Sequence, residues 1–194
     1  MTRVLFSPLI ERAMRVAARC HRTHNRKASD LPYISHPASV ALILIKAGFD
    51  AENVLAAALL HDVVEDTGYT PQELAAEFPP QVVESVAALT ERKLDADGRK
   101  RSWQERKQEH LDQIAAASVE ARAIVLSDKL HNLGTMLYDL EAGDEIWSRF
   151  GAAPEKILWY HRSMIEQAAG NDDGLNELAD ACRGLLAQLE AAVR

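Results

Sequence analysis

The 194-residue chain has few cysteines, few aromatic residues and no long apolar segment. Its two cysteines, Cys20 and Cys182, are too few for a disulfide framework or a thiolate metal cluster, so we expect both to be small buried residues. No apolar stretch is as long as a membrane span, and residues 1–9 lack the apolar core of a signal peptide. These absences predict a cytoplasmic protein with no membrane contact.

Basic residues are fewer than acidic residues, and the formal net charge is −7. The overall field of such a protein repels a polyanion, so we expect no nucleic-acid partner. Two stretches are nevertheless basic, residues 19–27 and residues 91–107. An acidic protein with local basic stretches is better suited to a small anionic ligand.

The alternating pattern of β-strands is absent, and helical periodicity runs through nearly the whole chain. We therefore predict an all-α fold of about eight to ten helices, forming one domain over residues 1–194. Ser7-Pro8 and two capping boxes, which begin at Thr70 and Ser102, mark predicted helix starts. Residues 93–101 are predicted to be a loop.

The most informative predicted helix runs from residue 51 to about residue 66, with Asp50 as its N-cap. Residues 54–60 carry no charge, so this helix is expected to be buried. A continuous helix would bring four ionisable side chains into one sector, namely His61, Asp62, Glu65 and Asp66. Carboxylates in an apolar interior need a counter-charge, which predicts a bound divalent cation.

Two other segments offer ligands for such an ion. His36 precedes Pro37, which restricts the backbone of His36 and is predicted to start a helix. A second apolar run leads into Asp128, with Asn132 one helical turn further on. Two imidazoles and two carboxylates suit Mn²⁺, Fe²⁺ or Zn²⁺. Taken alone, each residue has an alternative role as a hydrogen-bonded core residue or a helix cap.

Three segments, taken together and in their order along the chain, resemble the motifs of a known family. They are Arg26-Lys27 before Pro-Tyr-Ile-Ser-His-Pro at 32–37, Ala-Leu-Leu-His-Asp-Val-Val-Glu-Asp-Thr at 58–67, and Ser-Asp-Lys-Leu-His-Asn-Leu at 127–133. Together they resemble the HD-domain metal-dependent phosphohydrolases and, more narrowly, the hydrolase domain of the RelA/SpoT alarmone enzymes. The resemblance implies a stand-alone helical bundle with its motifs within about 19–135, a central metal site, and helices in 136–194 that complete the bundle.

The resemblance also implies roles for individual residues. The implied metal ligands are His36, His61, Asp62 and Asp128, with Mn²⁺ expected ahead of Zn²⁺, Fe²⁺ or Mg²⁺. Glu65 and Asp66 would assist a metal-activated water, and their alternative role is to neutralise the metal or cap the next segment. The implied nucleotide contacts are Arg26, Lys27, Lys129, Asn132, Arg106 and Lys107. For the Arg-Lys pairs at 26–27 and 106–107, the alternative is a solvated basic surface.

The implied activity is hydrolysis of the 3′-pyrophosphate of (p)ppGpp or its adenosine analogue (p)ppApp, with release of pyrophosphate. Thr23-His24-Asn25 and Gly134 depart from the pattern of guanine-specific members, which leaves the base open. One alternative is another HD phosphohydrolase that acts on nucleoside monophosphates or NADPH. The other is a non-catalytic nucleotide sensor, which Glu65 and Asp66 disfavour. The expected partner is a purine nucleotide, and homodimer formation is left open.

Overall fold

The computed structural model describes residues 5–26, 29–95 and 97–193. Within these ranges the regular structure is helical, and pairing of extended segments is limited to the isolated bridges Asn25–Pro32 and Leu94–Lys100. The all-α prediction is therefore confirmed. None of the described helices is long and apolar enough to cross a membrane. The chain divides into two units, Met1–Thr90 and Glu91–Arg194, and the single domain over residues 1–194 stays a prediction.

The first unit is built around a short apolar helix. Its helices are α1 Pro8–Cys20, α2 Ser35–Lys46, α3 Glu52–Leu60, α4 Val63–Asp66, α5 Pro71–Glu77 and α6 Pro80–Leu89. Every residue from Val54 to Leu60 is buried, because α3 packs against α1, α2 and α6. Each fully buried leucine or valine contributes about 1.5–3 kcal/mol, so this packing anchors the residues that follow α3.

Side-chain caps set the starts of α1 and α5 in the first unit. Ser7 caps α1 by accepting a hydrogen bond from the Ile10 amide at 3.3 Å, and Thr70 and Glu73 form the predicted capping box of α5. The predicted start of α2 at Pro37 is wrong by two residues. The helix begins at Ser35, because amides in a first turn have no intrahelical acceptor and proline is tolerated there.

Three other predictions for this unit are wrong. Asp50 is not the N-cap of α3, because the helix begins at Glu52 and Ala51 occupies the cap position. The continuous helix to residue 66 is interrupted, since α3 ends at Leu60 and a separate α4 begins at Val63. Cys20 is only partly buried, contrary to prediction, because it is the last residue of α1, whereas Cys182 of the second unit is buried as predicted.

The second unit contains four long helices. They are α7 Trp103–Ala115, α8 Val119–Glu141, α9 Pro154–Ala169 and α10 Asn176–Ala192, with short 3-10 helices at Ile146–Arg149 and Asp173–Leu175. Helices α8, α9 and α10 pack against one another, and α7 packs against α9. The capping box at Ser102 is confirmed, and the described part of 93–101 contains no helix, as predicted.

Candidate functional site

His61 follows the last turn of α3 and is almost completely buried. Backbone carbonyls at the end of a helix lack a full set of amide partners, and the imidazole Nδ1 of His61 donates to one of them, the Ala58 carbonyl, at 2.7 Å. Since a carbonyl can only accept, Nδ1 carries a proton, and in the neutral imidazole the lone pair is then on Nε2. This neutral tautomer can bind a metal through Nε2.

The carboxylate of Asp62 brings the predicted metal ligands of the first unit together. Its Oδ2 atom lies 3.0 Å from Nε2 of His61 and 3.6 Å from Nε2 of His36. His36 is buried in the first turn of α2, with 1% of its side chain exposed. A carboxylate oxygen and an imidazole lone pair at this distance repel each other unless a proton or cation lies with them. Two imidazole nitrogens and one carboxylate therefore fit a divalent first-row ion.

Tyr33 belongs to this site, although the sequence did not single it out. Its hydroxyl donates to Oδ2 of Asp62 at 2.5 Å. Its ring meets the imidazole of His36 edge-on, with the ring centroids 5.7 Å apart. The signal available in the sequence was the position of Tyr33, three residues before a predicted metal ligand.

Glu65 and Asp66 do not share the burial of His61. Glu65 is half-buried and Asp66 is exposed. The predicted continuous helix through these residues is wrong, because α4 begins after Asp62, whose carbonyl accepts from the Asp66 amide at 2.9 Å. The carboxylates of the pair therefore lie on a separate helical turn, and their action on a water stays a prediction.

Arg26 lies on a closed loop next to Tyr33. The Arg26 amide donates to the Leu31 carbonyl at 2.9 Å, and Asn25 and Pro32 form an isolated bridge. The guanidinium carbon of half-buried Arg26 lies 5.7 Å from the centroid of the Tyr33 ring. Lys27, the other predicted base contact, lies outside the described residues.

In the second unit, Asp128 is held by neighbours on its own helix, α8. Its Oδ2 atom accepts from the Lys129 ammonium, and its Oδ1 atom accepts from the Asn132 amide, both at 2.6 Å. Asn132 thus lies on the same side of the helix as Asp128, as its spacing predicts. The ammonium of Lys129 also lies 5.8 Å from the ring centroid of Tyr160. Three predicted site residues therefore form one contact group.

Arg106 and Lys107 of α7 both donate to Glu91, which the sequence did not indicate as a site residue. Arg106 bonds Oε1 and Lys107 bonds Oε2, while only 3% of the Glu91 side chain is exposed. Burial acts to raise the pKa of Glu91. The hydrogen bond and charge of Lys107 and the charge of Arg106 outweigh burial, so this pKa lies below its ordinary value. The two cations are 22% and 19% exposed, so they do not form the solvated helix face that was the alternative.

Known proteins resemble this chain in sequence and in fold. A family model described as "HD domain" matches residues 13–151. Guanosine-3′,5′-bis(diphosphate) 3′-pyrophosphohydrolase MESH1 of Drosophila melanogaster is 36% identical over 178 residues, which are 89% of this chain and 93% of that protein. A solved structure described as a metazoan ortholog of SpoT that hydrolyzes ppGpp has a TM-score of 0.76 and 29% identity, covering 96% of this chain and 98% of the other.

Longer bacterial proteins match as well. A probable GTP pyrophosphokinase of Mycobacterium leprae is 38% identical over 139 residues, which are 67% of this chain. The chain spans only 16% of that protein. It also spans only 15% and 26% of the GTP pyrophosphokinases of Streptomyces coelicolor and Brucella melitensis.

Proposed function

Because the chain belongs to the HD domain family, we propose that it is a metal-dependent phosphohydrolase that removes the 3′-pyrophosphate of (p)ppGpp or of (p)ppApp. The observation that carries this proposal is the group of His36, His61 and Asp62, in which the tautomer of His61 is fixed for metal binding. The similarity to the Drosophila pyrophosphohydrolase over most of both chains supports the substrate class. The proposal includes Mn²⁺ as the ion, a purine nucleotide as the partner and the cytoplasm as the compartment.

The proposed ligands are His36, His61 and Asp62 of the first unit and Asp128 of the second, all of residue types that divalent first-row ions bind. A bound divalent ion would supply a water of pKa about 7 and electrostatic stabilisation of phosphoryl oxygens. Glu65 and Asp66 orient the attacking water and accept its proton.

The water oxygen forms a bond to the phosphorus nearest the ribose, and the bond from that phosphorus to the ribose 3′-oxygen breaks. The products are pyrophosphate and the ribose 3′-oxygen, which takes up a proton and becomes a 3′-hydroxyl. Arg26 and Lys27 contact the purine, because a guanidinium can stack on a base. Lys129 and Asn132 face the ribose or the phosphates, and Arg106 and Lys107 face the 5′-phosphates.

The test is pyrophosphate release from ppGpp and from ppApp, with Mn²⁺ or with EDTA. We expect release only with the metal. Asp128→Asn should lose both activity and bound Mn²⁺, whereas the matched variant Asp112→Asn, at an exposed carboxylate of α7, should retain both. No turnover with any divalent ion, together with unchanged metal content in His61→Ala, would refute the proposal.

A panel of nucleotides separates the remaining activities. Phosphate release from nucleoside monophosphates or NADPH, without pyrophosphate release from either alarmone, would replace the proposal with another HD phosphohydrolase activity. Tight alarmone binding without turnover would identify a nucleotide sensor.

A further inference from the structure

The hydroxyl of Tyr33 controls the position of Oδ2 of Asp62, which is a proposed metal ligand. A carboxylate rotates easily about the bond that joins it to its side chain, because that torsion is broad. The hydroxyl donates to Oδ2 of Asp62 at 2.5 Å, and this is the oxygen that faces Nε2 of His61 and of His36. Hydrogen bonds from a hydroxyl to a charged carboxylate are short and strong. The contact therefore fixes the rotation of Asp62 toward the two imidazoles.

The ring of Tyr33 is itself held in place. It packs against the imidazole of buried His21, with ring centroids 4.6 Å apart and planes tilted by 32°. The backbone amide of Tyr33 donates to the His24 carbonyl at 2.9 Å. The hydroxyl is thus presented from a fixed ring, as a positioning contact requires.

The same ring also faces the predicted base contact. The guanidinium carbon of Arg26 lies 5.7 Å from the ring centroid, within the distance of cation–π attraction. The loop that carries Arg26 is closed by the bridge between Asn25 and Pro32, the residue before Tyr33. One side chain therefore contacts both the predicted purine ligand and a proposed metal ligand.

We propose that Tyr33 is a positioning residue with two separable contacts. Its hydroxyl holds Asp62 in the orientation that binds the metal, and its ring supports Arg26 for the base. The second contact rests on the proposed function, because it needs a purine substrate. The first contact does not depend on the identity of the substrate.

The experiment compares Tyr33→Phe, which keeps the ring, with Tyr33→Leu, which keeps neither contact. Mn²⁺ affinity is measured by calorimetric titration of metal-free protein, and kcat and KM are measured with ppGpp at saturating Mn²⁺. Loss of an orienting partner typically weakens metal binding by about 10–100-fold, so we expect a Kd at least about tenfold higher in both variants. The KM should rise in Tyr33→Leu alone. The matched control is Tyr138→Phe, at a residue that is 73% exposed, and it should change neither quantity.

A double variant separates positioning from general structural damage. If the hydroxyl acts through Asp62, then Tyr33→Phe on the Asp62→Asn background should lower Mn²⁺ affinity no further. An independent further loss of affinity would overturn the proposal, as would a Kd for Tyr33→Phe within twofold of wild type. An equal rise in KM for both single variants would overturn the separation of the contacts. If wild type does not hydrolyse ppGpp but the Mn²⁺ affinities follow this pattern, the proposed function fails and the metal-positioning role stands.

Discussion

Replacing Glu91 with glutamine removes the negative charge that faces Arg106 and Lys107 but keeps the volume of the side chain. Only 3% of the Glu91 side chain is exposed, so little water can replace the lost charge. Removing one partner of a buried ion pair costs about 3–5 kcal/mol. Because both cations keep some exposure, we expect the lower end of this range, about 3 kcal/mol at pH 7.

The loss should disappear in acid. Glu91 has a lowered pKa in the folded protein, so its stabilisation is complete above the ordinary carboxyl pKa of about 4.3 and is lost as the pH falls through the folded value. Protonated Glu91 and glutamine are both neutral and of similar size. The free energies of unfolding of wild type and Glu91→Gln should therefore begin to converge below about pH 4.3 and should meet only below the folded pKa of Glu91.

Urea unfolding at pH 7 and in acid measures both effects. With a urea dependence of about 2–3 kcal/mol per molar, a loss of about 3 kcal/mol lowers the midpoint by about 1–1.5 M. The matched control is Glu141→Gln at an exposed residue of α8, and it should change stability by less than about 0.5 kcal/mol. A Glu91→Gln midpoint equal to that of the control at pH 7, or a difference that does not shrink as the pH falls below about 4.3, would refute this reasoning.

Two further predictions concern His161 and Gly170 of the second unit, and Gly48 of the first unit is the control for Gly170. Burial and the charge of Lys129 lower the pKa of His161 to about 3, so the unfolded chain binds more protons than the folded one as the pH falls below 6.5. Because of this residue, the free energy of unfolding of wild type should fall by about 2 kcal/mol between pH 7 and pH 5. Urea titrations of His161→Leu at both pH values should not show this fall. Gly170 has a φ of 53°, and an added Cβ would lie 2.7 Å from Nη1 of Arg122, whose guanidinium is held in place by hydrogen bonds to the Ala168 and Ala169 carbonyls and to Asp172. Gly170→Ala should therefore lower thermal stability more than Gly48→Ala. Gly48 has a φ of 84° but open space around it, so its replacement by alanine should cost about 1–2 kcal/mol. Equal losses of stability in the two variants would contradict the predicted collision with Arg122.

The helices were predictable from the sequence where the determining contacts are local. The capping boxes at Thr70 and Ser102 each use residues three positions apart, so the sequence shows both partners at once. Tyr33 lies 29 residues before Asp62, and Glu91 lies 15 residues before Arg106, so no periodicity joins them. The ligand types were recognisable from the motifs, whereas Tyr33, which holds Asp62, comes from a distant segment.

The interruption after α3 had no local signal, because residues 58–66 contain neither glycine nor proline. The end of the helix leaves the Ala58 carbonyl to the imidazole of His61, which fixes the His61 tautomer. A continuous helix would direct that carbonyl toward a backbone amide instead. The break that sequence periodicity misses therefore determines the hydrogen bond of an imidazole that is a proposed metal ligand.

The two units hold their site carboxylates in physically different ways. Asp128 is bonded by Lys129 and Asn132 of its own helix, so the regular geometry of α8 is sufficient to orient it. Asp62 is oriented by Tyr33, which belongs to a different segment and stands next to the loop that carries Arg26. A displacement of the loop that carries Arg26 can therefore change the orientation of Asp62 through the ring of Tyr33. The orientation of Asp62 is therefore linked through Tyr33 to the segment that carries Arg26, whereas the orientation of Asp128 is set within α8.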